Sequence, residues 1–130
     1  HPSIPLEPAL QMVPVSHPEF ELGSTSPLTE DLQWAHVVLY ASSTVGLEAL
    51  QFGIPAVYLD LGNILDTDPL LDWSEFKWSI IEPSRLVDTI TNIEAMAASE
   101  FQELQKLGQE YAEAYLKPVT EEGLRAFLEG

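Results

Sequence analysis

The sequence predicts an α/β fold, in which a parallel β-sheet carries helices on both faces within a single domain of 130 residues. Two observations predict this fold. Runs of apolar, often β-branched residues lack the alternation of half-exposed strands, which is typical of parallel strands buried on both faces. Segments with helical spacing separate these runs, and strands that alternate with helices form β–α–β units.

The N-terminal region is predicted to be a connector followed by a helix. Residues 1–19 contain five prolines, which lack an amide donor and restrain the preceding residue, so this stretch is predicted to be extended. Residues 20–23 show a weak strand pattern. Ser26 is expected to cap a helix in which Pro27 is the first residue and which ends near Ala35.

The central unit is a strand, a helix and a second strand. Residues 36–40 and 54–59 predict the strands, and Pro55 lies near the start of the second, where a missing amide donor is tolerated. Residues 45–52 predict the helix, which follows hydroxylated residues able to cap it. Gly53 is expected to follow this helix in the left-handed conformation.

The remainder is predicted to be a long loop, a short strand and three helices. Residues 60–78 form an acidic and aromatic loop, and residues 79–81 predict the strand. Ser84 is expected to cap the first helix, Pro118 to break the second, and Thr120 to begin the third. Apolar residues at helical spacing mark the first two helices: Leu86, Ile90 and Ile93, then Phe101, Leu104, Leu107, Tyr111 and Tyr115. The predicted division is a connector over 1–19, an α/β core over 20–83 and a helical part over 84–130.

The chain is strongly acidic, with a net charge of −16 from 21 acidic and 5 basic residues. Nucleic acids and anionic membrane surfaces attract basic proteins, so neither is an expected partner. No apolar run is long enough to span a bilayer and no secretory signal is visible, so a cytoplasmic protein is expected, with any membrane contact made by parts outside this sequence. The absence of cysteine excludes disulfides and thiolate metal sites.

Hydroxylated residues and a helix start coincide at the end of the first predicted strand. Ligands of open α/β sheets bind outside the carboxyl ends of the strands, and helix N-termini present free amides to anions. Ser42, Ser43 and Thr44 add hydroxyl donors, while Gly46 allows a ligand to approach the backbone. These residues therefore predict a phosphate site that needs no lysine.

Glu48 extends this prediction from a phosphate to a nucleotide. A capping glutamate stands three residues after the N-cap, and Glu48 occupies that place relative to neither Ser43 nor Thr44. It lies just over one turn from Thr44 on the same side of the helix, where its carboxylate can accept hydrogen bonds from both hydroxyls of a ribose. The alternative is an ordinary surface glutamate.

The segment Ser-Ser-Thr-Val-Gly-Leu-Glu-Ala-Leu from Ser42 to Leu50, with Phe-Gly-Ile-Pro-Ala-Val over 52–57, resembles the donor-binding, C-terminal half of GT-B glycosyltransferases. Members of that family carry a serine-rich loop after a strand, then Glu-Ala, Gly-x-Pro and another strand. The resemblance covers most of residues 20–128, although His36 stands where the family often has aspartate. It implies a Rossmann-like sheet, donor phosphates at the loop and helix end, and a ribose contact from Glu48.

A His-Pro pair adds to the resemblance. Several such transferases carry this pair after a strand, and His1-Pro2 is similar to it. The resemblance implies that His1 contacts the donor phosphate or assists departure of the nucleotide, which suits a side chain with a pKa near neutrality. The alternative is a terminal residue without a role. UDP-, CMP- and GDP-linked sugars all stay open as donors.

The same resemblance implies that this sequence holds only part of an enzyme. The first strands of the sheet would precede His1, so the sheet is expected to be incomplete, and the acceptor-binding half would lie elsewhere in the polypeptide. We expect the fragment alone to be inactive, with a nucleotide-sugar as substrate and no metal or other cofactor. A sugar-nucleotide epimerase of the same fold is one alternative. The other is a non-catalytic interaction domain, in which the phosphate pocket at Ser43 would be filled.

The acidic, aromatic loop has further interpretations. Its aspartates suggest a metal site, but their spacing lacks the glycine and closing glutamate of a calcium loop. Its tryptophans either cover a bound nucleobase or sugar, or pack the loop onto the domain, and packing is favoured. The four aspartates are Asp60, Asp66, Asp68 and Asp72.

Overall fold

A computed structural model describes residues 27–62, 67–118, 120, 125 and 128 of the chain. Several sequence predictions fall outside these residues. They are the connector over 1–19, the weak strand over 20–23, the cap at Ser26 and the role of His1. Most of the predicted terminal helix also lies outside the described residues.

The described elements are four α-helices, three strands and one 3₁₀ turn. They are α1 (Leu28–Leu32), β1 (Val38–Tyr40), α2 (Val45–Gln51), β2 (Ala56–Leu59), β3 (Lys77–Ile80), a 3₁₀ turn (Pro83–Arg85), α3 (Leu86–Glu94) and α4 (Ala98–Tyr115). The strands form one three-stranded sheet in the order β1-β2-β3, and both pairings are parallel. The predicted α/β class with parallel strands is therefore confirmed. None of the described helices is long and apolar enough to cross a membrane.

The apolar core has two parts, one on each face of the sheet. Along β2, Ala56 and Tyr58 belong to one apolar cluster, whereas Val57 and Leu59 belong to another. Because successive side chains of a strand point to opposite faces, the two clusters lie on opposite faces of the sheet. Helices α2 and α4 supply Leu47, Leu50 and Ala112 to the first cluster, and α3 supplies Ile93 to the second.

The strands differ from the predicted bounds because pairing, not the length of an apolar run, decides where a ladder begins. The amide of Val38 donates to the carbonyl of Pro55 (2.9 Å), so β1 begins there rather than at residue 36. Strand β2 begins at Ala56 rather than at residue 54. Strand β3 pairs with all four residues of β2 and therefore covers Lys77–Ile80 rather than residues 79–81.

The helix bounds confirm some predicted caps and contradict others. Helix α2 ends one residue before the predicted position, and Gly53 follows it with φ of 73°, as predicted. Pro27 precedes α1 instead of starting it, because its ψ of 139° is extended, and the helix ends at Leu32. The predicted cap at Ser84 is wrong, because Pro83 begins a 3₁₀ turn that contains Ser84, and α3 starts after that turn.

Gly46 is buried where α2 meets the sheet, and the ring of Tyr40 fills the space beside it. A Cβ atom on Gly46 would lie 2.5 Å from Cζ of Tyr40, closer than Cβ contacts in real proteins. The ring thus occupies the side of Gly46 on which a side chain would stand. The glycine is explained by this packing, which lets α2 approach β1.

We predict that Gly46→Ala lowers the free energy of unfolding by about 1–3 kcal/mol, because the added methyl group overpacks the Tyr40 ring. Alanine is favoured over glycine inside a helix, so a loss of stability would have to come from this clash. Gly108→Ala in α4 is the matched control, since its Cβ would meet its nearest neighbours at 3.3 Å. Chemical denaturation of both variants measures the difference. Equal stability of the two would contradict the packing explanation.

Candidate functional site

The loops that follow the three strands lie at one edge of the sheet, because parallel strands end on the same side. Residues 41–44 follow β1, residues 60–62 follow β2, and Ile81 and Glu82 follow β3. Ser42, Ser43 and Thr44 are exposed to solvent at this edge. This is the edge at which open α/β sheets bind ligands.

Ser42 has a backbone conformation that is uncommon for a residue with a side chain. Its φ is 51°, in the left-handed region, which costs about 1 kcal/mol for a residue other than glycine. Its Oγ lies 2.6 Å from Oγ1 of Thr67, so the two hydroxyls share a hydrogen bond. The fold thus brings the first serine of the loop together with a residue 25 positions later.

Ser43 supplies the local hydrogen bond at the start of α2. Its Oγ accepts from the amide of Val45 (3.3 Å), whereas Thr44, the N-cap residue, makes no capping bond with its side chain. A serine hydroxyl that accepts still has its own proton to donate. The Ser43 side chain is exposed, so a ligand can reach this hydroxyl.

Glu48 lies on the side of α2 that faces away from the core. Its neighbours Leu47 and Ala49 are buried, whereas Glu48 is half-buried and Thr44, four residues before it, is exposed. Residues four apart share one side of a helix. Glu48 therefore lies on the same side of α2 as Thr44.

A buried ion pair holds the segment after Thr67 in place. The ammonium of Lys77 pairs with the carboxylate of Asp68, and their side chains are 7% and 2% exposed. Oδ1 of Asp68 also accepts from the hydroxyl of Tyr40 (2.7 Å) and from the amide of Leu70 (3.0 Å). The Lys77 ammonium in turn donates to the carbonyl of Leu70 (2.8 Å). This network joins the loop to β1 and β3.

The sequence reading missed both Thr67 and this network. In the sequence Asp68 is one of four aspartates in a loop, and its partners Tyr40 and Lys77 lie in two different strands. No spacing rule relates these positions. The sequence does hold one signal: Lys77 is a single lysine at the start of an otherwise largely apolar strand, and a buried lysine needs an acidic partner.

The aromatic residues of the loop pack it onto the domain, so the favoured interpretation is confirmed for Trp73. Its ring stacks on Tyr111 of α4 at 4.2 Å between centroids, and its Nε1 donates to the carbonyl of Glu75 (2.6 Å). Phe76 is 1% exposed and meets the edge of the Phe101 ring at 5.0 Å. Burial, reinforced by the nearby Tyr115, Asp72 and Asp68, raises the pKa of the Tyr111 hydroxyl above its ordinary value.

Two of the four loop aspartates, Asp60 and Asp68, are held by hydrogen bonds or an ion pair. Asp60 accepts from the amide of Gly62 (2.9 Å), Asp68 is ion-paired, and Asp66 lies outside the described residues. Over the ranges that the structure describes, no three acidic or histidine side chains come together as metal ligands would.

Comparison of the chain with protein-family models, with curated proteins and with solved structures found no match. Fold and site together define an α/β domain with a hydroxylated loop at the carboxyl edge of a parallel sheet.

We predict that Lys77→Met lowers the free energy of unfolding by about 3–5 kcal/mol, because it leaves the Asp68 carboxylate buried without its cation. Lys106→Met is the matched control: Lys106 pairs with Glu110 on the surface, where both side chains are more than half exposed. That change should cost less than about 0.5 kcal/mol. Chemical denaturation compares the two variants.

Adding Asp68→Asn to Lys77→Met should restore part of the lost stability, since the buried charge is removed along with its partner. A double variant less stable than Lys77→Met alone would show that the carboxylate is stabilised by other groups. The same conclusion would be drawn if Lys77→Met lowered the free energy of unfolding no more than Lys106→Met does.

Proposed function

We propose that the chain is the nucleotide-sugar-binding part of a glycosyltransferase of the GT-B type, built on a Rossmann-like sheet. One observation carries the proposal. The exposed loop Ser42, Ser43, Thr44 lies at the carboxyl end of β1, and Glu48 follows one turn into α2 on the same side. Hydroxyl donors thus precede α2, and a carboxylate acceptor lies one turn into it, near the carboxyl edge of the sheet.

The chemistry of these groups orients a nucleotide in one direction. Serine and threonine hydroxyls donate hydrogen bonds to phosphate oxygens, whereas an ionised carboxylate only accepts them. Glu48 therefore favours the ribose hydroxyls and repels the phosphates, which leaves the phosphates to the loop at Ser42 and Ser43. The order phosphate, then ribose, runs from the loop into α2.

Sugar transfer would then depend on orientation and on stabilising the charge of the departing nucleotide phosphate. We expect the acceptor half, the first strands of the sheet and any catalytic base in other parts of the polypeptide. His1 is proposed to meet the donor phosphate or to assist its departure. We expect no metal or other cofactor to be needed, and we expect a cytoplasmic location.

The two alternative functions predict different properties of the protein. A non-catalytic interaction domain would fill the pocket at Ser43, but the Ser43 side chain is exposed, which supports the binding function. A sugar-nucleotide epimerase of the same fold would bind the same ligand. It would convert a nucleotide-sugar without an acceptor, so analysis of products separates it from a transferase.

We predict that Glu48→Ala weakens nucleotide binding by the full-length protein at least tenfold, on the order of one charge-assisted hydrogen bond. Titration with UDP, CMP and GDP, followed by calorimetry, measures the dissociation constants. Glu103→Ala is the matched control, because Glu103 is an exposed glutamate of α4. The Glu103→Ala change should leave the dissociation constants of all three nucleotides unchanged.

Two results would overturn the proposed function. The first is that none of UDP, CMP and GDP binds the protein. The second is that a nucleotide binds with the same affinity to the Glu48→Ala variant and to the Glu103→Ala variant, since the carboxylate would then make no contact with the ribose.

A further inference from the structure

We propose that Thr67 is a further ligand-binding residue, which acts with Ser42 as a pair of hydroxyls that donates a hydrogen bond to a phosphate oxygen of the nucleotide. This inference rests on the proposed function and adds to it a residue from a different loop. Thr67 lies in the connection between β2 and β3, whereas the other hydroxyls proposed to contact the phosphate, those of Ser42, Ser43 and Thr44, follow β1.

The two hydroxyls are close together and open to solvent. Ser42 Oγ and Thr67 Oγ1 are 2.6 Å apart, and both residues are exposed. A pair of hydroxyls has two protons, and only one of them is used between the two oxygens. The hydroxyl that accepts this bond keeps its own proton, and accepting makes it a better donor to a third group.

The protein holds both members of the pair in position. Ser42 has the strained φ of 51°, and such strain persists only where surrounding structure or function maintains it. Thr67 is followed at once by Asp68, whose carboxylate is bound by Lys77 and Tyr40. The buried ion pair thus positions the hydroxyl of Thr67 over the loop that follows β1.

The charge at this point favours a hydroxyl contact over a cationic one. Lys77 contacts the same segment, but its ammonium pairs with Asp68 and its side chain is 7% exposed, so its charge is not free for a ligand. In a chain with a net charge of −16, neutral donors at Ser42, Ser43 and Thr67 provide attraction for an anion. A phosphate oxygen, which accepts several hydrogen bonds, suits these donors.

The test compares variants that remove one hydroxyl each from the full-length protein. Thr67→Val keeps the shape of threonine, and Ser42→Gly suits a φ of 51°. Thr91→Val, at an exposed position of α3, is the control for the loss of a threonine hydroxyl. NMR titrations with CMP, UDP and GDP give the dissociation constants, and titrations with cytidine, uridine and guanosine report binding without phosphate.

Thr67→Val is expected to weaken binding of the nucleotides about fivefold, the effect of one neutral hydrogen bond, and to leave binding of the nucleosides unchanged. Thr91→Val is expected to change the binding of neither the nucleotides nor the nucleosides. In the double variant Ser42→Gly, Thr67→Val the loss should be smaller than the product of the two single losses, because the hydroxyls act as a unit.

Three outcomes would overturn the inference. Nucleotide binding that is weakened by Glu48→Ala but not by Thr67→Val would leave the proposed function standing and remove Thr67 from the site. An equal loss for nucleotides and nucleosides would mean that Thr67 only supports the loop. Failure of the wild-type protein to bind any of the three nucleotides would remove the proposed function, and this inference with it.

Discussion

The buried carboxylate of Asp68 is the group on which the carboxyl edge of the sheet depends. A chain with a net charge of −16 places this negative charge in its interior, where it needs a cation and hydrogen-bond donors to be stable. Lys77 supplies the cation, and Tyr40 and the Leu70 amide supply the donors. Because these partners come from β1, from β3 and from the loop itself, satisfying one carboxylate fixes three parts of the structure relative to one another.

Tyr40 links this network to helix α2. Its hydroxyl binds Asp68, and its ring lies where a side chain at position 46 would otherwise stand. One residue at the end of β1 thus sets the distance between β1 and α2 as well as the position of the loop that carries Thr67. The hydroxylated loop at residues 42–44 lies between these two constraints, so its conformation is determined by groups that make no contact with a ligand.

The parts of the fold that could be predicted from sequence are those set by local chemistry. An apolar run, a helix of the right length and Gly53 before Pro55 predicted β1, α2 and β2, because each signal concerns neighbouring residues. The predicted start of β3 is two residues too late and the predicted cap at Ser84 is wrong, because pairing with β2 and the 3₁₀ turn at Pro83 are not visible in the local sequence. The pairing of Thr67 with Ser42 could not be predicted, because only the folded chain brings two loops together.

The contact between Gln105 and Gly53 has a consequence for how the domain forms. Nε2 of Gln105 in α4 donates to the carbonyl of Gly53, at a sequence separation of 52 residues (2.8 Å). Helix α2 is therefore packed against a helix that leaves the ribosome much later, and closing so long a loop carries an entropic cost. The packing of α2 on α4, together with this bond, ties the β1–α2–β2 unit and its carboxyl edge to the later part of the chain. A break in the short connection between α3 and α4 would separate that edge from its support.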